Sequence, residues 1–175
     1  MALITEDGTG RADAESYCSL ADATAYHAAL GNAAWAALAT DELREQALRR
    51  ASVYMVQAYR LRWAGYRKRD AQALDWPRYE VPKPDTSVGR FMAYYSENIV
   101  PTEVRNACAE LALRAASGDL AADQGQAVIE RTVGPITTKF APGSLAAKRY
   151  VAVDRLLAPM LTDGGSSSAL RLVRG

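Results

Sequence analysis

Histidine occurs once, cysteine twice and phenylalanine twice in the 175 residues, and each scarcity closes off a class of function. A transition-metal site draws on clustered His and Cys ligands. The lone His27 and the widely separated Cys18 and Cys108 are in no such spacing, so no metal and no cofactor is expected. Catalysis is equally short of means. There is no Gly-x-Ser-x-Gly, no glycine-rich phosphate loop and no His-Glu-x-x-His. His27 lies in an alanine-rich helical stretch, where it reads as a packed or surface residue. The acids are scattered along helical segments whose solvated faces explain them, and no enzyme is expected. No apolar run approaches the roughly 20 residues that span a bilayer, so no membrane is expected as a partner. The opening Met-Ala-Leu-Ile-Thr-Glu-Asp-Gly lacks the basic and long apolar regions of a secretory signal. The two cysteines are expected to be free, buried thiols in a reducing compartment. Net charge is only +1, which excludes coating nucleic acid by bulk attraction and leaves local patches to be examined.

What is present is ordinary for a globular domain: 49% hydrophobic and 23% charged residues, with alanine abundant enough to favour close-packed helices. The pattern predicts a mainly α chain, a small helical bundle over residues 1–163 followed by a flexible arm at 164–175. Ser19, followed three residues on by Asp22, caps a short helix from about 20 to 29 that stops at Gly31-Asn32. A further turn at 33–38 carries Trp35. Thr40 caps the longest helix, roughly 41–63, with Asp41 and Glu42 in its first turn. Leu43, Ala47, Ala51, Tyr54, Met55, Ala58 and Leu61 or Arg62 form its apolar stripe, and Gly65 is expected to end it.

Residues 73–78, Ala-Leu-Asp-Trp-Pro-Arg, follow that helix. Pro77 disfavours helix at the preceding residue, so Trp76 is expected to fold back as a plug against the core. Trp76 and Pro77 are thus structural markers. Residues 79–100, with Pro82, Pro84, Gly89, Phe91, Tyr94 and Tyr95, read as a long irregular contact loop. Pro101 opens a helix whose buried face is Val104, Ala107, Cys108, Leu111 and Ala115, ended by Gly118. β-branched residues at 126–133 and 136–140, joined at Gly134-Pro135, predict a hairpin at about 126–140. Ser144 caps a last helix holding Leu145, Val151, Val153, Leu156, Leu157 and Met160, which Pro159 kinks or ends.

Two stretches carry candidate binding functions. Residues 60–69 read Arg-Leu-Arg-Trp-Ala-Gly-Tyr-Arg-Lys-Arg. Arg60, Arg62, Arg67, Lys68 and Arg69, interleaved with Trp63 and Tyr66, have the composition to track phosphates or stack on bases. Such a run more often pairs with acids on a neighbouring subunit or faces water. A ring of copies would multiply a modest patch into a strong field within a channel. The tail is a Gly-Gly-Ser-Ser-Ser spacer, 164–168, followed by Ala-Leu-Arg-Leu-Val-Arg-Gly. Ordering eight residues costs on the order of 1–2 kcal/mol each, while Leu170, Leu172 and Val173 return about 1.5–3 kcal/mol each when buried. Leu170, Arg171, Leu172 and Val173 are therefore expected to order only on a partner, as an arm or added strand.

The joint order of Tyr-Cys-Ser-Leu-Ala-Asp-Ala at 17–23, Thr40-Asp-Glu with Ala47-Leu-Arg-Arg-Ala51, Trp63-Ala-Gly-Tyr-Arg67, Ala73-Leu-Asp-Trp-Pro-Arg78, Val100-Pro101 before Val104-x-x-Ala-Cys108, Val133-Gly-Pro-Ile136 and Arg149-Tyr-x-Ala-Val-Asp154 resembles the adaptor, or head–tail connector, proteins of tailed bacteriophages. The resemblance implies a helical bundle assembling into a ring, usually of twelve copies, below the portal protein. It would join the portal to the tail or stopper protein and continue the channel for packaged double-stranded DNA. The place implied is the head–tail junction of the virion, with assembly in the bacterial host cytoplasm. The arm at Leu170–Val173 would then dock on the portal or a neighbour, and Arg62, Arg67, Lys68 and Arg69 would line the channel or an intersubunit contact. Related chains carry the label DnaT-like single-strand DNA-binding protein, which is the alternative reading. The near-neutral charge and the lack of a strand series like that of OB folds stand against it.

Overall fold

The computed structural model describes residues 2–88, 91–121, 130–133, 136–139 and 149–162. Among these, five α-helices form the core and the strands pair only as three two-stranded antiparallel sheets, so the chain is mainly α. The expected arm at 164–175 and the turn at Gly134-Pro135 lie outside the described residues.

Helix α1 (Leu20–Ala29) starts where Ser19 Oγ accepts a hydrogen bond from the Asp22 amide at 3.0 Å, and Leu30 caps its end before Gly31. Helix α2 (Ala33–Ala36) buries Trp35. Helix α3 (Asp41–Tyr59) is capped by Thr40, whose Oγ1 accepts from the Leu43 amide at 3.4 Å. It ends four residues short of the expected Trp63. The backbone of 62–64 has other partners there: the Thr162 amide donates to the Arg62 carbonyl at 2.7 Å and the Ala64 amide to the Met160 carbonyl at 3.0 Å. A helix through these residues would forfeit both bonds.

The buried stripe of α3 also differs from expectation. Ala47, Leu48, Ala51, Ser52, Met55 and Tyr59 face inward, whereas Leu43 is exposed and Leu61 is 96% exposed. Gly65 is not the helix stop. Its φ is +63°, and a Cβ there would overlap the Tyr79 carbonyl oxygen. Gly65 is needed because two backbone segments cross at that point.

Helix α4 (Thr102–Ser117) follows Pro101 and ends at Gly118. It packs against α1, α3 and α5, burying Val104, Ala107, Cys108, Leu111 and Ala115 together with Ala109 and Ala112. Small residues let α3 and α4 approach closely. Cys18 and Cys108 are both buried and free, and burial raises both thiols above their usual range. The final helix is shorter than expected. Helix α5 (Val151–Leu157) begins only after Tyr150 and passes into a 3-10 turn, Ala158–Met160, at Pro159. Ser144 and Leu145 lie outside the described residues. Tyr150 is turned inward, its hydroxyl donating to the Leu120 carbonyl at 2.9 Å, and its backbone, at φ −102° and ψ 76°, is not helical.

Strands β1 (Tyr66–Arg67) and β2 (Arg78–Tyr79) pair Tyr66 with Tyr79. Strands β3 (Pro82–Val88) and β4 (Phe91–Tyr94) form a hairpin, where an irregular loop was expected. Pro82 and Pro84 suggested a loop, yet an edge strand tolerates proline because its outward amide has no ladder partner to lose. Strands β5 (Glu130–Val133) and β6 (Ile136–Lys139) pair Val133 with Ile136, within the span expected for a hairpin.

Candidate functional site

The Leu74–Arg78 segment is the knot on which the outer surface is mounted. The Trp76–Pro77 peptide is cis. Trp76 is wholly buried, set edge-on to Trp63 (centroids 5.8 Å, 89°) and to Tyr95 (6.1 Å, 81°). Asp75 is also fully buried. Its Oδ1 accepts from Arg60 Nε at 2.8 Å, and its amide donates to the Tyr17 hydroxyl at 3.0 Å. Arg78, buried as well, donates to the carbonyls of Ala64 (2.8 Å), Gly65 (2.7 Å) and Asp75 (3.1 Å). Burial lowers its guanidinium pKa somewhat, but an arginine remains charged at any ordinary pH. One side chain thereby fixes β1 against β2. Trp76 and Pro77 are structural here, at the base of the β3–β4 hairpin, where the Tyr95 amide donates to the Val81 carbonyl at 2.9 Å.

The basic run is largely engaged by the chain itself. Arg60 holds Asp75. Arg62 lies over the Tyr59 ring at 5.2 Å and is exposed. Arg67 donates to the Gln72 carbonyl at 3.3 Å. Lys68 donates through Nζ to the Gly8 carbonyl at 3.2 Å and Asn98 Oδ1 at 2.5 Å. Arg69 is exposed, with its amide held by Gln72 Oε1 at 2.9 Å. Of the two interleaved aromatics, Trp63 is buried and Tyr66 is exposed. The stretch therefore does not present a Trp–Tyr stacking platform. Its cations tie the 60–72 loop to residues 8, 75 and 98.

Apolar and aromatic side chains also face outward. Phe91 is 78% and Met92 61% exposed, and Tyr94, Tyr66 and Tyr79 are also exposed, while Ala93 between them is buried. The aromatics of 91–95 are visible in the sequence, but their division is not: Tyr95 turns inward against Trp76, and Met92 joins the outer surface. Helical or strand periodicity could not assign them, because β4 does not alternate cleanly.

Two other buried polar side chains, His27 and Glu6, are engaged within the chain. His27 is buried between Tyr26 and Trp35, with Nε2 3.0 Å from the Ala109 carbonyl and Nδ1 3.0 Å from the Asn32 side-chain nitrogen. That geometry fits a neutral ring donating at Nε2 and accepting at Nδ1, and burial lowers the pKa. The buried Glu6 carboxylate accepts from the amides of Gly8, Gly10 and Arg11 at 2.8–2.9 Å, which closes the 6–11 loop. Among the described residues no group of His, Cys, Asp or Glu is arranged to hold a metal ion. No described helix is long and apolar enough to cross a membrane. Leu170, Arg171, Leu172 and Val173 lie outside the described residues.

The whole chain, residues 1–175, matches the model of the family described as "Putative DnaT-like ssDNA binding protein", and the chain belongs to that family. No curated protein and no solved structure matches it.

Proposed function

We propose that this member of the DnaT-like family is a structural subunit that works in a homo-oligomeric ring, as a head–tail connector does, and not as an enzyme. The observation that carries the reading is the exposure of Phe91 and Met92 on a two-stranded hairpin. An isolated two-stranded hairpin is only marginally stable in water, and side chains of this kind gain about 1.5–3 kcal/mol each when buried. A protein surface is the covering that suits them. The partners in this reading are further copies, about twelve in all, the portal protein on one side and a tail or stopper protein on the other. Packaged double-stranded DNA passes through the lumen, and the site of action is the virion's head–tail junction. Arg62 and Arg69, exposed on the 60–69 loop, are then the cations best placed to face DNA or a neighbour.

The words of the family description suggest a second reading, single-strand DNA binding. Exposed Tyr66, in the same stretch of chain as the exposed Arg62 and Arg69, gives it a local basis, since base stacking on an aromatic ring is worth about 1–3 kcal/mol per base. Engagement of Arg60, Arg67 and Lys68 within the chain weakens it.

The test is to incubate the purified protein with portal rings and, separately, with a fluorescent oligonucleotide near physiological salt. Co-sedimentation with portal rings and no anisotropy change supports the connector reading. Tight, salt-sensitive oligonucleotide binding with no portal association would replace it by the second.

A further inference from the structure

Sulfur is unevenly exposed in this chain. The sequence has four methionines and two cysteines. Met55 and Met160 have no exposure, whereas Met92 is 61% exposed. Cys18 and Cys108 are buried, and burial raises both thiols, which keeps them from the reactive thiolate form. Among the described residues, Met92 is therefore the sulfur that an oxidant dissolved in water meets directly. It stands opposite Ser87 in the β3–β4 ladder, between exposed Phe91 and buried Ala93, on the surface read above as one that another protein surface covers. A thioether suits such a contact because it is apolar, polarizable and adaptable. Its oxidation product does not. A sulfoxide is polar and chiral at sulfur, and a hydrogen-bond acceptor buried without a donor is costly.

We infer that Met92 is an oxidisable control on the association of the hairpin: a peroxide converts its thioether to the sulfoxide, and the sulfoxide form takes its partner surface poorly. In that step a sulfur lone pair attacks one oxygen of hydrogen peroxide. The O–O bond breaks as the S–O bond forms, and the other oxygen leaves with both hydrogens as water. The sulfur loses two electrons and the peroxide gains them. The inference rests on the self-assembly reading given above and adds its regulation. A subunit already assembled covers Met92, so the oxidant acts on free subunits and blocks assembly instead of dismantling it. Sulfoxide reductases, one for each epimer at sulfur, regenerate the thioether and association with it.

The test treats the wild-type protein and Met92→Leu with dilute hydrogen peroxide. Each is compared with its own untreated sample by peptide mass spectrometry and by sedimentation equilibrium. Leucine keeps an apolar side chain and carries no sulfur. The wild-type chain is expected to gain one oxygen at residue 92 before Met55 or Met160 reacts. Its self-association should weaken roughly tenfold, the scale of an unpaired polar group brought into an apolar contact. Association of Met92→Leu should be unmoved by the peroxide, and treatment of the oxidised wild-type protein with both sulfoxide reductases should restore its association. Oxidation at Met92 with association unchanged would overturn the inference and leave the self-assembly reading standing. Equal weakening of Met92→Leu, or no recovery after reduction, would assign the effect to another group and overturn it too. Untreated wild-type protein that stays monomeric at every concentration would remove the self-assembly reading and the inference with it.

Discussion

Arg60 and Asp75 meet at 2.8 Å with their exposures sharply unequal: the Asp75 side chain has none, and that of Arg60 is 44% exposed. The arginine thus reaches from the surface to a carboxylate in the core, across the gap between the end of α3 and the Trp76 knot. Removing the cation strands the acid. Arg60→Ala is expected to destabilise the protein by about 1–3 kcal/mol, the cost of a buried group left unpartnered, below that of a fully buried pair because the arginine is half in water. Arg62→Ala, two residues on and exposed, is expected to cost within about 0.5 kcal/mol. Urea unfolding of the two variants makes the comparison, and equal losses would contradict it.

Trp76 fills the space between Trp63 and Tyr95. Trp76→Ala is expected to cost about 3–5 kcal/mol through lost burial and the cavity left behind. Near-ultraviolet circular dichroism should weaken beyond the loss of a single chromophore, because Trp63 loses its edge-on partner.

Gly65→Ala tests the crossing of β1 and β2. The added methyl group meets the Tyr79 carbonyl, and a φ of +63° is strained for alanine. A loss of about 1–3 kcal/mol is expected from the backbone alone. Gly31→Ala also has a positive φ but nothing within 4 Å, and should cost less. Thermal melts of both variants check the order.

His27 gives the pH dependence. Its folded pKa lies below the ordinary value of 6.5 because burial disfavours the charged ring. Above 6.5 both the folded and the unfolded states are neutral and its contribution is complete. As pH falls below 6.5 the unfolded chain takes up the proton first, so stability declines until the folded pKa is reached. Urea midpoints at pH 7.5 and 5.5 should show this loss, and His27→Gln should flatten that part of the profile. A wild-type midpoint rising as pH falls, with the slope removed by the substitution, would contradict the assignment.

The helices that were legible in the sequence are those whose ends are set locally. Ser19, Thr40, Pro101 and Gly118 each act through their own backbone neighbourhood, and α1, α3 and α4 begin, or in α4 also end, beside them. The misplacements arise where distant chain decides. Residues 62–64 leave the helix because 160–162 offers them backbone bonds, and Gly65 answers to Tyr79 rather than to α3. Likewise, five cations in ten residues signal a charged patch, but nothing local tells that Asp75 will meet Arg60 and that Gly8 and Asn98 will both meet Lys68. The hairpin at 82–94 was obscured by Pro82 and Pro84, whose edge position only the fold reveals.

Phe91→Ser with Met92→Ser tests whether the hairpin is a protein-binding surface. Both positions are exposed, so stability should change by no more than about 0.5 kcal/mol per site. The decisive measurement is the mass of wild-type and doubly substituted protein across a wide concentration range, by sedimentation equilibrium. The expected result is a wild-type protein that associates as concentration rises and a substituted one that stays monomeric while remaining folded. A wild-type chain that is monomeric throughout, or a substituted chain that associates equally well, would contradict the assignment of this surface to self-assembly.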